Sequence, residues 1–130
     1  EDSAGTLWVG TWDGGLSRLD RSTGRFATLR HDRSDPSSLS DNRVTTLLED
    51  SRGDLWVGTV NGLNLMDRAR GTFRRFAAAP QQEGSLSDAF VWCLFEDRQG
   101  RLWIGTDAGG LNRLDPEPGT FRCYRHRPAG

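Results

Sequence analysis

The 130-residue chain contains no lysine: all 17 basic residues are arginine, set against 18 acidic ones, for a formal net charge of −1. The absence removes lysine Schiff-base catalysis and the phosphate-binding lysine of P-loops. The balanced charge provides no net field to draw in nucleic acid or an anionic membrane. Cysteine is nearly absent, and Cys93 and Cys123 have the spacing of neither a disulfide framework nor a zinc site. No apolar run approaches the roughly 20 residues a membrane-spanning helix needs. The opening Glu1-Asp2-Ser3-Ala4-Gly5 does not read as a signal peptide and suggests a chain cut from a longer one. At 35% hydrophobic and 27% charged, the composition is that of an ordinary soluble globular protein. What stands out is 16 glycines and five tryptophans in so short a chain.

Those residues belong to a repeat. Leu7-Trp8-Val9-Gly10-Thr11 returns as Leu55-Trp56-Val57-Gly58-Thr59 and as Leu102-Trp103-Ile104-Gly105-Thr106, with tryptophans 48 and 47 residues apart. Glu-Asp-x-x-Gly precedes each pentad, from Glu1, Glu49 and Glu96. Gly-Leu follows each (Gly15-Leu16, Gly62-Leu63, Gly110-Leu111), then an Asp (Asp20, Asp67, Asp115), a Gly (Gly24, Gly71, Gly119) and a Phe (Phe26, Phe73, Phe121). A spacer, Ser38-Leu39-Ser40-Asp41, recurs as Ser85-Leu86-Ser87-Asp88. Self-similarity at this period signals a repeat architecture.

Within each unit, short β-branched and aromatic runs alternate with glycine-bearing turns, and no stretch carries a helical period. Four strands are expected per unit: a (44–49, 91–96), b (the pentads), c (16–19, 63–66, 111–114) and d (26–30, 73–77, 121–125). Asp-x-x-Gly joins a to b and Asp-x-x-x-Gly joins c to d, with the glycine free to take positive φ. Four antiparallel strands every ~40 to 50 residues define the blade of a β-propeller. The fold class is therefore all-β, an incomplete ring of blades. The first repeat, 1–43, has strands b, c and d; the second, 44–89, and the third, 90–130, are complete. Propellers typically close with about four to eight blades, so these units leave blade faces and the edge strand at 7–11 uncovered. Self-association through those edges is the expected way to complete a ring.

The string Glu-Asp-x-x-Gly-x-Leu-Trp-Val-Gly-Thr-x-x-Gly-Gly-Leu-x-Arg-Leu-Asp, with Phe and Ser-Leu-Ser downstream, resembles the two-component regulator propeller repeat. The resemblance implies part of the periplasmic sensor ectodomain of a bacterial hybrid histidine kinase or a related signalling protein. Such ectodomains usually hold many repeats ahead of a membrane span and a cytoplasmic output domain. Three repeats, with no span and no output module, depart from that plan.

Trp8, Trp56 and Trp103 occupy one repeat position and are expected to pack blade against blade as core. His31 and His126 share the end of strand d and read as structural surface histidines. Cys93 on an innermost strand and Cys123 on the outermost strand of the same blade are three ~4.8 Å strand spacings apart, about 14 Å, beyond the ~7 Å reach of a disulfide; they are expected to be free and mostly buried. Asp50-Ser51-Arg52-Gly53-Asp54 fails as a calcium loop because Arg52 stands where an oxygen ligand is needed. No grouping suits nucleophilic or paired-carboxylate catalysis, so no catalytic residue, metal or cofactor is assigned.

Function in a repeat protein is sought where the repeat is broken. On the face carrying the b–c turns and d–a loops, the off-pattern residues are Trp12, Asp13, Arg43, Asn61, Phe90, Trp92 and Asp107. Aromatic faces stack on sugar C–H groups while Asp, Asn and Arg take hydroxyls, so a small carbohydrate is the candidate ligand. Two functions remain open: a ligand-sensing propeller segment, or a scaffold for oligomerisation or a protein partner that binds no small molecule. Exposed aromatic and arginine side chains serve both.

Overall fold

The computed structural model describes residues 2, 5–78, 86–115 and 120–124, and there it forms β-strands joined by turns and loops. The a–b turns are built by aspartate and glycine together. Gly5, Gly53 and Gly100 take φ of 81°, 86° and 76°, a region open to glycine, and donate their N–H to the carbonyls of Asp2, Asp50 and Asp97. At the c–d turns, Gly24 and Gly71 likewise take positive φ and donate to the Asp20 and Asp67 carbonyls.

Eleven strands result among the described residues: β1 (Leu7–Gly10), β2 (Leu16–Asp20), β3 (Arg25–Leu29), β4 (Val44–Glu49), β5 (Leu55–Thr59), β6 (Gly62–Asp67), β7 (Thr72–Phe76), β8 (Val91–Glu96), β9 (Leu102–Thr106), β10 (Leu111–Asp115) and β11 (Thr120–Tyr124). They make three antiparallel meanders: β1-β2-β3, β4-β5-β6-β7 and β8-β9-β10-β11. These are propeller blades arranged as an arc, with β4 packed beside β8 and β1 beside β4. Each d strand begins one residue earlier than the sequence suggests. The turn glycine completes the reversal, so Arg25 and Thr72 already pair with Asp20 and Asp67.

The core lies in the seams between blades. The first seam gathers Trp8, Leu16, Leu39, Val57 and Phe73, and the second gathers Trp56, Leu63, Leu86, Ile104 and Phe121. Leu39 and Leu86, the spacer leucines, are fully buried plugs; each contributes about 1.5–3 kcal/mol by burial. Beside each plug sits a buried polar cluster. Asn64 accepts the Ser40 N–H at 3.0 Å and donates to Ser40 Oγ at 2.9 Å and to the Val57 carbonyl at 3.1 Å. Asn112 repeats the exchange with Ser87. Their amides are satisfied, as burial demands. The glycine of the pentad admits the neighbouring inner strand: a Cβ on Gly10 would overlap Val44, and one on Gly58 would lie 2.7 Å from Val91 Cγ1.

Two expectations need correction. Trp103 is only half-buried, because the face it presents has no further blade against it, whereas Trp8 and Trp56 are buried. Cys93 and Cys123 are free, but both are exposed. Cys93 shares the uncovered face with Phe95, two residues along β8, and Cys123 lies on the outermost strand, its thiol 3.1 Å from the Gly109 carbonyl. His31 is partly buried, and its Nδ1 lies 2.7 Å from the Leu39 carbonyl, tying the spacer loop to the end of β3. His126 lies outside the described residues.

Candidate functional site

At the end of the arc formed by the b–c turns and d–a loops, three aromatic rings form a continuous strip. Trp12 of the first blade lies 6.4 Å from Phe90, centroid to centroid, and Phe90 lies 4.5 Å from Trp92. The strip thus bridges from the first unit to the third. Trp12 is 60% exposed and Trp92 50%, so both indoles offer surface to solvent.

Local backbone structure explains why these rings project. The β8–β9 pairing shifts register between Val91 and Cys93, leaving Trp92 as the extra residue of a β-bulge. A bulge residue has no ladder partner and is re-aimed by the local twist. The same shift between Val44 and Thr46 makes Thr45 the equivalent residue of β4. There the side chain turns inward instead, and the Thr45 hydroxyl donates to the Val91 carbonyl across the second seam. Trp12 sits in the longer b–c turn, forms an isolated antiparallel bridge with Arg43 and is followed by Asp13 at φ 103°. That conformation is strained for a residue with a Cβ. It is held by donation from the Asp13 N–H to the Asn42 carbonyl and from Arg30 Nη2 to the Asp13 carbonyl, each at 3.3 Å.

Polar groups flank the strip. Trp92 donates its indole N–H to Asp107 Oδ1 at 2.8 Å, and the Asp107 N–H donates to the Phe90 carbonyl at 3.0 Å, which fixes ring and carboxylate together. Arg43 pairs through Nε and Nη2 with Asp41, both at 3.0 Å. Hydrogen bonding to Asp41 raises the Arg43 pKa and, reciprocally, lowers that of Asp41. The pair is solvent-exposed and its effect is to fix the guanidinium against Asp41, while the Arg43 backbone bridges to Trp12. Asn61 is exposed, and its backbone N–H donates to Thr59 Oγ1 at 3.0 Å. Of the residues singled out in the sequence, Trp12, Phe90, Trp92 and Asp107 form one connected group. Arg43 and Asp13 adjoin it at Trp12, and Asn61 occupies the equivalent turn of the middle blade.

Sequence reasoning missed the second role of the a–b turn aspartates. Asp2, Asp50 and Asp97 each accept the indole N–H of the tryptophan six residues on, at 2.8, 2.9 and 2.8 Å. The signal was present, since Asp and Trp recur together in all three units, but the Asp was read only as a turn former. The Trp103 indole bond heads the contacts that lower the Asp97 pKa to about 2. Burial of Asp2 works against ionisation, yet donation from Trp8, Thr6 and Arg68 leaves its pKa below the ordinary value. Among the described residues, no cluster of His, Cys, Asp or Glu is arranged to hold a metal, and no helix is long and apolar enough to cross a membrane.

The fold and its repeated Asp–Trp lock define a β-propeller segment built from one recurring blade motif. The two-component regulator propeller family model matches residues 38–61 and 85–108 of the chain. Histidine kinase P4 of Formosa agariphila is 37% identical over 59 residues, which is 45% of this chain and 4% of that one. The extracellular domain of a protein assigned to a hybrid two component system of B. thetaiotaomicron superposes with a TM-score of 0.81 at 27% identity, covering 93% of this chain and 17% of that one. A streptogramin B lyase shares the fold, with a TM-score of 0.65 at 23% identity over 100% of this chain and 40% of its own. The chain therefore spans a small part of the length of the signalling proteins it resembles.

Proposed function

We propose that this arc is a non-catalytic segment of the sensory propeller of a bacterial two-component receptor, placed in the periplasm, and that its aromatic rim takes a small carbohydrate. The ectodomain resemblance supports the receptor assignment and the location. The observation that carries the ligand reading is the Trp12–Phe90–Trp92 strip. Its two indoles are exposed although burial would stabilise them, and Trp92 is held in place by Asp107. Ring faces of this kind stack on sugar C–H groups, and Asp107, Arg43, Asp13 and Asn61 supply hydrogen bonds to hydroxyls. Replacing both Trp12 and Trp92 by Ala is expected to abolish binding to the sugars that the parent chain retains on a glycan array. Equal retention by parent and variant refutes the reading.

A second reading, as an assembly scaffold, is favoured by the two uncovered ends. Phe26 (62% exposed) and Val9 (38%) mark one end, and Phe95 (47%) and Tyr124 (42%), with Trp103, mark the other. The two ends differ, so copies would join front to back, the kind of contact that builds rings when the rotation closes. Size exclusion with light scattering is expected to show oligomers; a clean monomer at all concentrations argues against this reading.

A further inference from the structure

The two seams differ at the end of the arc opposite the aromatic rim. In the first, Arg68 donates from Nη1 to Asp2 Oδ2 at 2.9 Å and to Glu49 Oε2 at 2.8 Å, and from Nη2 to the Gly53 carbonyl. A guanidinium thus closes the seam, held by two carboxylates and a carbonyl from the facing turns of adjacent blades. The repeat register maps Asp2, Glu49 and Gly53 onto Asp50, Glu96 and Gly100, and maps Arg68 onto Pro116. Pro116 lies outside the described residues, and a proline side chain carries no hydrogen-bond donor.

At that place the second seam has a cavity of about 160 Å³, lined by Asp50, Glu96 and Gly100 and floored by Trp56, Leu65 and Phe76. Both carboxylates are already positioned. Asp50 Oδ2 accepts the Trp56 indole at 2.9 Å, as Asp2 Oδ2 accepts that of Trp8. Ser51 donates its N–H to Glu96 Oε1 at 2.9 Å and its hydroxyl to Oε2 at 2.8 Å. The Ser51 N–H is shared with Oε2 at 3.1 Å, which fills that oxygen; with two lone-pair sites each, Asp50 Oδ2 and Glu96 Oε1 retain one acceptor site apiece for the kind of contact Arg68 makes in the first seam. Asp50, Asp54 and Glu96 outnumber the lining cations Arg52 and Arg74, and Arg74 is stacked over Phe76 at 4.9 Å.

We propose that this cavity binds a guanidinium group supplied by an incoming ligand, between Asp50, Glu96 and the Gly100 carbonyl, with the ligand's alkyl chain against the Trp56–Phe76 floor. The site reproduces with an external group the contact that Arg68 makes internally. It stands independently of the sugar-binding reading, because it lies at the other end of the strands.

The test is calorimetric titration of the full chain with n-butylguanidinium, with n-butylurea as its neutral isostere and a blocked arginine amide as the peptide form. Butylguanidinium is expected to bind about tenfold or more tightly than butylurea, and Glu96→Gln to weaken it by about tenfold, as for loss of a charge-assisted contact. Pro116→Arg, which puts arginine at the repeat position that Arg68 holds in the sequence, is expected to abolish binding. Tighter binding of the arginine amide identifies the ligand as an arginine side chain of a peptide; tighter binding of butylguanidinium identifies a free small molecule. Equal binding of butylurea, no binding, or unchanged affinity in both variants overturns the proposal.

Discussion

Phe26, Phe73 and Phe121 hold one position in the repeat, yet Phe26 is 62% exposed while Phe73 and Phe121 are 5% and 7% exposed. Trp103 stands in the same relation to Trp8 and Trp56 at the other end of the arc. The phenylalanine faces the preceding blade and the tryptophan the following one, so a missing neighbour on either side exposes a different member of the motif. Burial in this molecule is a property of a seam, and identical side chains contribute differently at each end.

The sharpest way to break the comparison is to truncate matched residues. Phe73→Ala is expected to cost about 3–5 kcal/mol, as for a buried aromatic, and Phe26→Ala about 0.5 kcal/mol or less. Urea unfolding of the two variants measures the gap, and equal losses would mean that the outer face is covered in solution by another copy. A smaller difference is expected at the pentad glycines. Gly58→Ala puts a Cβ 2.6 Å from Thr46 Cγ2 and 2.7 Å from Val91 Cγ1 of the next blade, an overlap expected to cost about 1–3 kcal/mol. Gly105→Ala meets Cys93 Sγ at 2.6 Å, a single exposed side chain that can turn away, so thermal unfolding should register a smaller loss.

The smallest effect concerns acid. Asp97, at the uncovered end, has its pKa lowered to about 2 from an ordinary 3.8 by the Trp103 indole and by donors in its turn. A depressed carboxylate contributes stability above its unfolded pKa and loses it as pH falls through the folded one. Wild-type stability should therefore decline between about pH 4 and pH 2. Asp97→Asn should be less stable at pH 7 and flatter across that window, as followed by denaturant midpoints at pH 7, 4 and 2.5. An unchanged pH slope in the variant would show that Asp97 does not contribute to it.

The strands, the turns and the interblade tryptophans were legible because repetition aligns three copies of one physical solution. Three features were hidden, each for its own reason. The bulge at Trp92 lies in the run Val91-Trp92-Cys93, where an extra residue leaves no break in apolar character. The Asp–Trp bonds connect a turn to a strand six residues away, a relation that neither strand nor helix periodicity exposes. The exposure of Cys93 and Trp103 depends on what lies against the last sheet, which side-chain chemistry does not encode. At the rim, breaks in the repeat did locate residues that meet in space, since Trp12 and Phe90 touch across two blade boundaries.

The bulge itself separates what must stay constant from what is free to vary. Residues 45 and 92 have no cross-strand partner, so the ladders on either side close whatever side chain is carried there. One copy already carries threonine and the other tryptophan on the same backbone path. Each complete blade thus has one position at the inner rim whose side chain the ladder does not dictate: the second blade commits it to the seam through the Thr45–Val91 bond, and the third presents Trp92 to solvent.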